Sequence, residues 1–297
     1  MRPTVKLYQL GRLSYQKALN AQLVISNGLK QKYTSHLNQS NKRDHERGHT
    51  IAESFSTRNQ VTNSLLLVEH EPVYTIGIRT QQYNDSYVAE LGRKLAENNL
   101  SAELVNTNRG GLITFHGPGQ LVAYPILDLN DFGKTIPKRS VKAYVRLLEN
   151  TIIDTLDMIG LEGAHTVHEY PGVWLNKGER KIAFIGISCK RFVTMHGVSI
   201  NCDCDLSWFD HITSCGIEDK AITSIRQELL SKHQLSSHNC SNHEHDQSRI
   251  IEKEHFDDPN SGDVNNIANQ FCLSFSNNFG CDLEKEEAFQ WESVADC

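Results

Sequence analysis

Nowhere in this chain is there an apolar run approaching the roughly 20 residues that a membrane-spanning helix requires. The longest apolar stretches, Leu65 to Val68 among them, are strand-sized, which predicts a soluble protein with no membrane partner. An excess of basic charge is lacking too. Lys and Arg total 30 against 36 Asp and Glu, for a net charge of -6, whereas a chain built to neutralise nucleic-acid phosphates needs a clustered surplus of cations. The eight cysteines, all in the second half, show no repeated CxxC spacing. Free thiols in a reducing compartment fit that pattern better than a disulfide framework. No Gly-Lys-Ser or Gly-Lys-Thr stands at Walker spacing and no GxGxxG is present, so neither nucleotide-binding fingerprint applies.

Acidic residues are missing from the first 43 positions, which carry Arg2, Lys6, Arg12, Lys17, Lys30, Lys32, Lys42 and Arg43. Mitochondrial transit peptides share that bias. The same segment also reads as a first strand and an amphipathic helix over Val5 to Leu23, with Leu19, Leu23, Val24 and Ile25 as core positions. Both readings stand on sequence alone.

What is present is enough for a sizeable core. Of the 297 residues, 38% are hydrophobic and 22% charged, which is ordinary globular usage. Ser64 to Ile78 (SLLLVEHEPVYTIGI) predicts strand, turn, strand. Val88 to Ser101 has helical spacing and Glu103 to Thr107 is extended. Ser140 to Ile159 places apolar residues at 141, 144, 145, 148, 152, 153 and 156, close to a 3.6-residue period, and predicts a helix covering the sheet. Gly172 to Ile200 reads as a hairpin and a third strand near the sheet centre. Ile267 to Phe279 reads as a terminal helix. Residues 34 to 63 read as an exposed insertion, and residues 231 to 263, rich in Ser, His, Asn, Asp and Glu, as a disordered loop.

Several positions carry chemistry. Arg109 to Gly119 (RGGLITFHGPG) brings glycine backbone close to a ligand, with Arg109 and His116 supplying charge and hydrogen bonds, although glycine-rich turns are often structural. Lys181 opens the apolar stretch IAFIGI, where an ammonium must snorkel or face a polar site. Cys215 lies in SCGI after WFDHIT. A lysine beside a cysteine lowers the thiol pKa from about 8.5 and raises the thiolate fraction. His196, in TMHGVSIN, is a candidate for substrate positioning or proton transfer, or a structural hydrogen-bonder. The loop residues His233, His238, Cys240, His243 and His245 are metal-ligand types without a framework to fix tetrahedral geometry, so no metal is expected. Cys202 and Cys204 share one strand face and are assigned no chemistry.

RGGLITFHGPGQLVAYPILDL at 109 to 129 closely resembles the signature of octanoyl (lipoyl) transferases. GVW at 172, KIAFIGI at 181, MHGVSIN at 195, DLSWFDHI at 205, CGI at 215 and LLLVEHEPVYTIGIR at 65 resemble further blocks of the same family, in family order. The resemblance implies an α/β (α+β) fold with a mixed sheet flanked by helices, as in the catalytic domains of biotin and lipoate protein ligases. It implies a single domain over 1–297 with insertions at 34–60 and 231–263. By the same match Cys215 is the acyl-accepting thiol and Lys181 its pKa-lowering partner. Arg109, Gly110, Gly111, Leu112, Ile113, Thr114, Phe115 and His116, then Phe184, Ile185 and Gly186, then Gly197, Val198 and Ser199, resemble the substrate-binding segments, with His196 bordering them. Phe115 stands where a Tyr is common, as in the animal mitochondrial branch.

The implied reaction moves an octanoyl group from octanoyl-acyl carrier protein to cysteine and on to a lysine of a lipoyl domain, in the glycine cleavage H protein or 2-oxoacid dehydrogenase E2 subunits. It needs no cofactor, and the branch implies the mitochondrial matrix. Three alternatives compete: an ATP-dependent lipoate or biotin ligase on the same fold, a non-catalytic lipoyl-domain binder, and a Cys-His thiol hydrolase using His116 or His196. The absence of RRxSGGG and GRGRxGR patterns weighs against the first, and the presence of Cys215 with Lys181 against the second.

Overall fold

The computed structural model describes residues 1–43, 61–79, 83–168, 170–212, 220–239 and 262–291. In chain order its elements are β1 (Thr4–Leu13), α1 (Tyr15–Arg43), β2 (Ser64–His70), β3 (Val73–Ile76), α2 (Asp85–Glu97), β4 (Glu103–Asn106), β5 (Ile113–His116) and β6 (Gln120–Ile126). There follow α3 (Val141–Met158), β7 (His165–Val167), β8 (Tyr170–Leu175), β9 (Arg180–Lys190), β10 (Val193–Asn201), β11 (Ala221–Ile222), α4 (Ile225–Asn239), α5 (Val264–Phe279) and β12 (Asp282–Lys285). The large sheet runs β12, β1, β2, β6, β10, β9, β8, β7, with β11 beside β9. It is mixed: β1 is parallel to both β12 and β2, β11 is parallel to β9, and the remaining pairs are antiparallel. A small sheet orders β4, β3, β5.

Strand alternation sorts the core into two layers. Leu65 and Leu67 of β2, with Leu121 and Ala123 of β6, face α3 and α5, which contribute Leu148, Ile152, Phe271, Phe275 and Phe279. Leu66 and Val68, with Val122 and Tyr124, face α1 on the opposite side. Phe275 and Phe279 stack at 4.2 Å between ring centroids, and each fully buried ring contributes about 1.5–3 kcal/mol over exposure. The α3 helix begins where the Ser140 hydroxyl accepts from the Ala143 N–H at 3.2 Å, an N-cap that satisfies one orphan donor. A two-residue turn, with φ of 54° at Arg191 and 64° at Phe192, joins β9 to β10, the left-handed pair that matches hairpin twist.

Three expectations change. On α1 the buried apolar positions are Tyr15, Ala18, Ala21, Ile25 and Leu29, while Leu19, Leu23 and Val24 are only partly covered. Two of these, Ala18 and Ala21, put small side chains into the cluster with Leu66, Val68 and Val122 of the sheet. The backbone is helical over 34–43, at the start of the segment read as an insertion, and over 231–239, at the start of the segment read as disordered. Residues 44–60 and 240–261 lie outside the described residues. Finally, β12 was not anticipated: its Asp, Glu and Lys content suits an edge strand better than a core one, and Arg2 with Asp282 and Lys6 with Glu286 tie it to β1. With β1 hydrogen-bonded on both sides, the acid-free N-terminal segment supplies a structural strand.

Candidate functional site

Where β5 and the loop before it meet β6, β9 and β10, a narrow, partly open cavity of about 50 Å³ is left between side chains. Arg109, Gly111, Leu112, Ile113, Thr114 and His116 line it from one side, and Phe184, Ile185, Gly186, His196, Gly197, Val198 and Ser199 from the other. Segments that are far apart in sequence are thus brought to one cavity. Gly110 and Phe115 are not part of the lining. Gly110 instead donates its N–H to the Ile187 carbonyl at 2.8 Å. Phe115 is one position out of step with Thr114 and His116 on the strand and stacks on Trp208 at 4.9 Å, beside Tyr74 and Phe209. Glycine at 197 is required because a Cβ there would stand 2.1 Å from the Ala123 carbonyl oxygen.

Sequence reasoning missed Tyr15, Val122 and Tyr124, which complete the lining, and the buried polar network behind it. His70 Nδ1–H donates to the Leu13 carbonyl at 3.1 Å, so its Nε2 accepts from the Tyr124 hydroxyl at 2.7 Å. His116 Nδ1–H donates to Gln120 Oε1 at 2.6 Å, which leaves its Nε2 as a lone-pair acceptor. The Gln120 amide donates to Asn201 Oδ1 at 2.9 Å and to the Phe115 carbonyl at 3.3 Å. His196 Nε2–H donates to Asn108 Oδ1 at 2.6 Å, and its Nδ1 faces the Tyr15 hydroxyl at 3.5 Å. His196 holds φ at 57°, and its N–H donates to Gln22 Oε1 at 2.8 Å.

These imidazoles are neutral at physiological pH. Burial pushes His116 down to about 3, with His70, Arg109 and His196 adding repulsion. Burial takes His70 to about 4, and burial plus the Arg109 charge takes His196 to about 4. The Arg109 guanidinium is held by Thr75, whose hydroxyl accepts at 2.9 and 3.1 Å and whose carbonyl accepts at 2.5 Å. Among the described residues no three His, Cys, Asp or Glu side chains converge as a metal site. Of the His-rich loop group only His233 and the backbone of His238 are described. Cys202 and Cys204 are buried, and burial raises both thiols, Cys204 to about 12, as suits inert packing.

Lys181 is 3% exposed. Its Nζ lies 4.8 Å from the centre of the Phe184 ring and 5.1 Å from that of Trp174, contacts that suit an ammonium held against aromatic faces. Gly172, with φ of 121°, gives it room: a Cβ there would stand 2.8 Å from Lys181 Cε. Arg180 next door makes a bidentate pair with Glu228 of α4 at 2.7 and 2.9 Å, and Glu228 also accepts from the Thr223 hydroxyl at 2.6 Å. Cys215 lies outside the described residues. The chain on either side of it is placed: Ile212 packs in the cluster that holds Phe184 and Phe209, and Ile222 of β11 pairs with Lys181, whose carbonyl accepts from the Thr223 N–H at 2.9 Å.

The family model of the lipoyl protein ligase A/B catalytic domain matches residues 49–238. A protein of Danio rerio named a mitochondrial octanoyl-[acyl-carrier-protein]:protein N-octanoyltransferase is 44% identical over 225 residues, covering 76% of this chain and 83% of that protein. An octanoyltransferase of Thermobifida fusca is 46% identical over 176 residues, 57% of this chain and 67% of that one. Among solved structures, lipoate-protein ligase A bound with ATP superposes with a TM-score of 0.56 at 12% identity, over 98% of this chain and 92% of that chain. A bipartite lipoate protein ligase from Thermoplasma acidophilum gives 0.55 at 14%, over 99% and 91%. These two show a shared fold, the α/β architecture with a mixed sheet, and the sequence matches go further. The chain is a member of the lipoyl protein ligase A/B catalytic-domain family and belongs with its octanoyltransferases.

Proposed function

We propose that this chain moves an octanoyl group from octanoyl-acyl carrier protein onto Cys215 as a thioester, and then onto the ε-amine of a lysine on a lipoyl domain. The observation that carries this reading is the position of Lys181. Its ammonium packs on Phe184, which lines the pocket, and the chain that follows Cys215 rejoins the sheet beside it at Ile222. Only two residues lie between Ile212 and Cys215, so covalent reach alone keeps their Cα atoms within about 11 Å. An ammonium brought beside a thiol favours the thiolate, the reactive form.

The thiolate adds to the carbonyl carbon of the donor thioester, the carrier's sulfur leaves, and the octanoyl chain is held by Leu112, Ile113, Val122, Ile185 and Val198. The departing carrier sulfur takes a proton from Lys181, and in the second half the acceptor amine adds and gives its proton to the now neutral Lys181 as Cys215 leaves as the thiolate. A thioester lies uphill of an amide, so the transfer proceeds without nucleotide or other cofactor. We extend the reading to the lipoyl domains of the glycine cleavage H protein and of 2-oxoacid dehydrogenase E2 subunits as acceptors. We also extend it to the mitochondrial matrix, supported by the mitochondrial naming of the Danio rerio relative.

The test is transfer from octanoyl-acyl carrier protein to an unmodified lipoyl domain by purified protein without ATP. Transfer by the wild type and none by Cys215→Ala supports the reading. A strict requirement for ATP points instead to an adenylate-forming ligase on this fold.

A further inference from the structure

Two hydroxyls inside the pocket have no partner. Ser199 is 2% exposed and Thr114 is 6% exposed, both line the cavity, and neither Ser199 Oγ nor Thr114 Oγ1 has a hydrogen-bond partner among the described residues. A buried hydroxyl left unsatisfied is unfavourable, so a pair of them in one cavity calls for a ligand atom.

Their relative placement follows from the strands. Gln120 ties His116 on β5 to Asn201 on β10. Two residues back along each strand, where alternation returns to the same face, stand Thr114 and Ser199. Both side chains line the pocket, Thr114 from β5 and Ser199 from β10. Ser199 stands toward the Lys181 end of the pocket. Ser199 pairs directly with Phe184, whose ring meets Lys181 Nζ at 4.8 Å. One step further along β10, Asn201 donates to the Thr223 carbonyl at 2.9 Å, and Thr223 in turn donates its N–H to Lys181.

A saturated acyl chain brings one strong hydrogen-bond acceptor into such a pocket, its carbonyl oxygen, which has two lone pairs. We propose that Ser199 Oγ and Thr114 Oγ1 both donate to the carbonyl oxygen of the bound acyl group and stabilise the negative charge it gains during transfer. This rests on the acyl-transfer reading above. When a nucleophile adds to the carbonyl carbon, the π pair moves onto oxygen; when the sulfur leaves as thiolate the pair returns, so the hydroxyls keep their protons throughout. Donors already aimed at the oxygen need no reorganisation as its charge grows, and removing one such donor costs about 10²–10³ in turnover in well-studied acyl transfer.

The experiment uses full-length protein and the variants Ser199→Ala and Thr114→Val, with Thr114→Ser as the hydroxyl-retaining control. Two quantities are read: the rate of octanoyl adduct formation at saturating octanoyl-acyl carrier protein, and the affinity for S-octyl-pantetheine, a thioether with no carbonyl. The expected result is a loss of about 100-fold in adduct rate for each hydroxyl-removing variant, thioether affinity within about twofold of wild type, and near wild-type rate in Thr114→Ser. Unchanged rates in both hydroxyl-removing variants, or equal losses of rate and thioether affinity, overturn the inference while leaving the transfer reading intact. Absence of any adduct on the wild type removes both.

Discussion

Lys181 Nζ sits 4.8 Å from the centre of the Phe184 ring, and Phe184 itself lines the pocket. A cation and the wall of an apolar cavity are thereby placed on one strand, three residues apart, at the point where the chain carrying Cys215 rejoins the sheet. If this ammonium lowers the thiol pKa, Lys181→Met lowers adduct formation at pH 7 by at least about tenfold. The lost rate returns as pH rises toward the ordinary cysteine value of about 8.5. Stopped-time mass spectrometry across pH 6 to 10 measures it, and a variant profile parallel to wild type at all pH values contradicts the role.

Gly172 makes the space that Lys181 uses. A Cβ there meets the Ala183 carbonyl oxygen at 2.4 Å and Lys181 Cε at 2.8 Å, on a backbone with φ of 121°. Gly172→Ala is therefore expected to destabilise the fold by about 1–3 kcal/mol, and to lower adduct formation further because Lys181 must move. Urea unfolding midpoints measure the first effect; wild-type stability and rate together contradict the packing described.

Gln120 joins the two sheets. It accepts from His116 and donates to Asn201 and to the Phe115 carbonyl. Replacing it with Leu keeps the volume and leaves buried polar atoms unpaired, at about 1–3 kcal/mol for each group stranded. Gln120→Leu should thus lose more stability than an ordinary volume-conserving core substitution, which costs below about 1.5 kcal/mol. Equilibrium denaturation decides between them.

The three imidazoles give the fold an acid limit. His70 and His196 are held down to about 4 and His116 to about 3, against about 6.5 in the unfolded chain. Below that value the unfolded state binds more protons than the folded one, so stability is full above about pH 6.5 and falls as pH drops toward 4. Each histidine contributes a slope of up to about 1.4 kcal/mol per pH unit. Denaturation midpoints should fall steadily over that window, and His70→Gln should make the slope shallower. A flat profile from pH 7 to 4.5 contradicts neutral burial.

Much of this arrangement was legible in the sequence, for identifiable reasons. The α3 helix follows from an apolar period of 3.6, the β8–β9 hairpin from β-branched stretches split by the polar turn at 176–179, and the segments that line the pocket fall within the motif blocks at 109 to 119 and 181 to 199. Edge strand β12 was hidden because its residues are charged and gain their pairing only from β1. The small-residue face of α1 was hidden because large aliphatic residues at 19, 23 and 24 imitate a core stripe. The polar network was beyond any local pattern. Tyr15 and His196, 181 positions apart, meet only through the sheet, and Gln120 sees Asn201 across 81 positions. Phe115 was grouped with the pocket because motif contiguity ignores strand alternation.

The most direct measurement is intact-protein mass spectrometry after brief incubation with octanoyl-acyl carrier protein, comparing wild type with Cys215→Ala and adding hydroxylamine. The account predicts a single octanoyl mass increment on the wild type, removed by hydroxylamine and absent from the variant. Transfer to a lipoyl domain with no adduct on the wild type, or with Cys215→Ala still turning over, would contradict the thioester and make Cys215 structural.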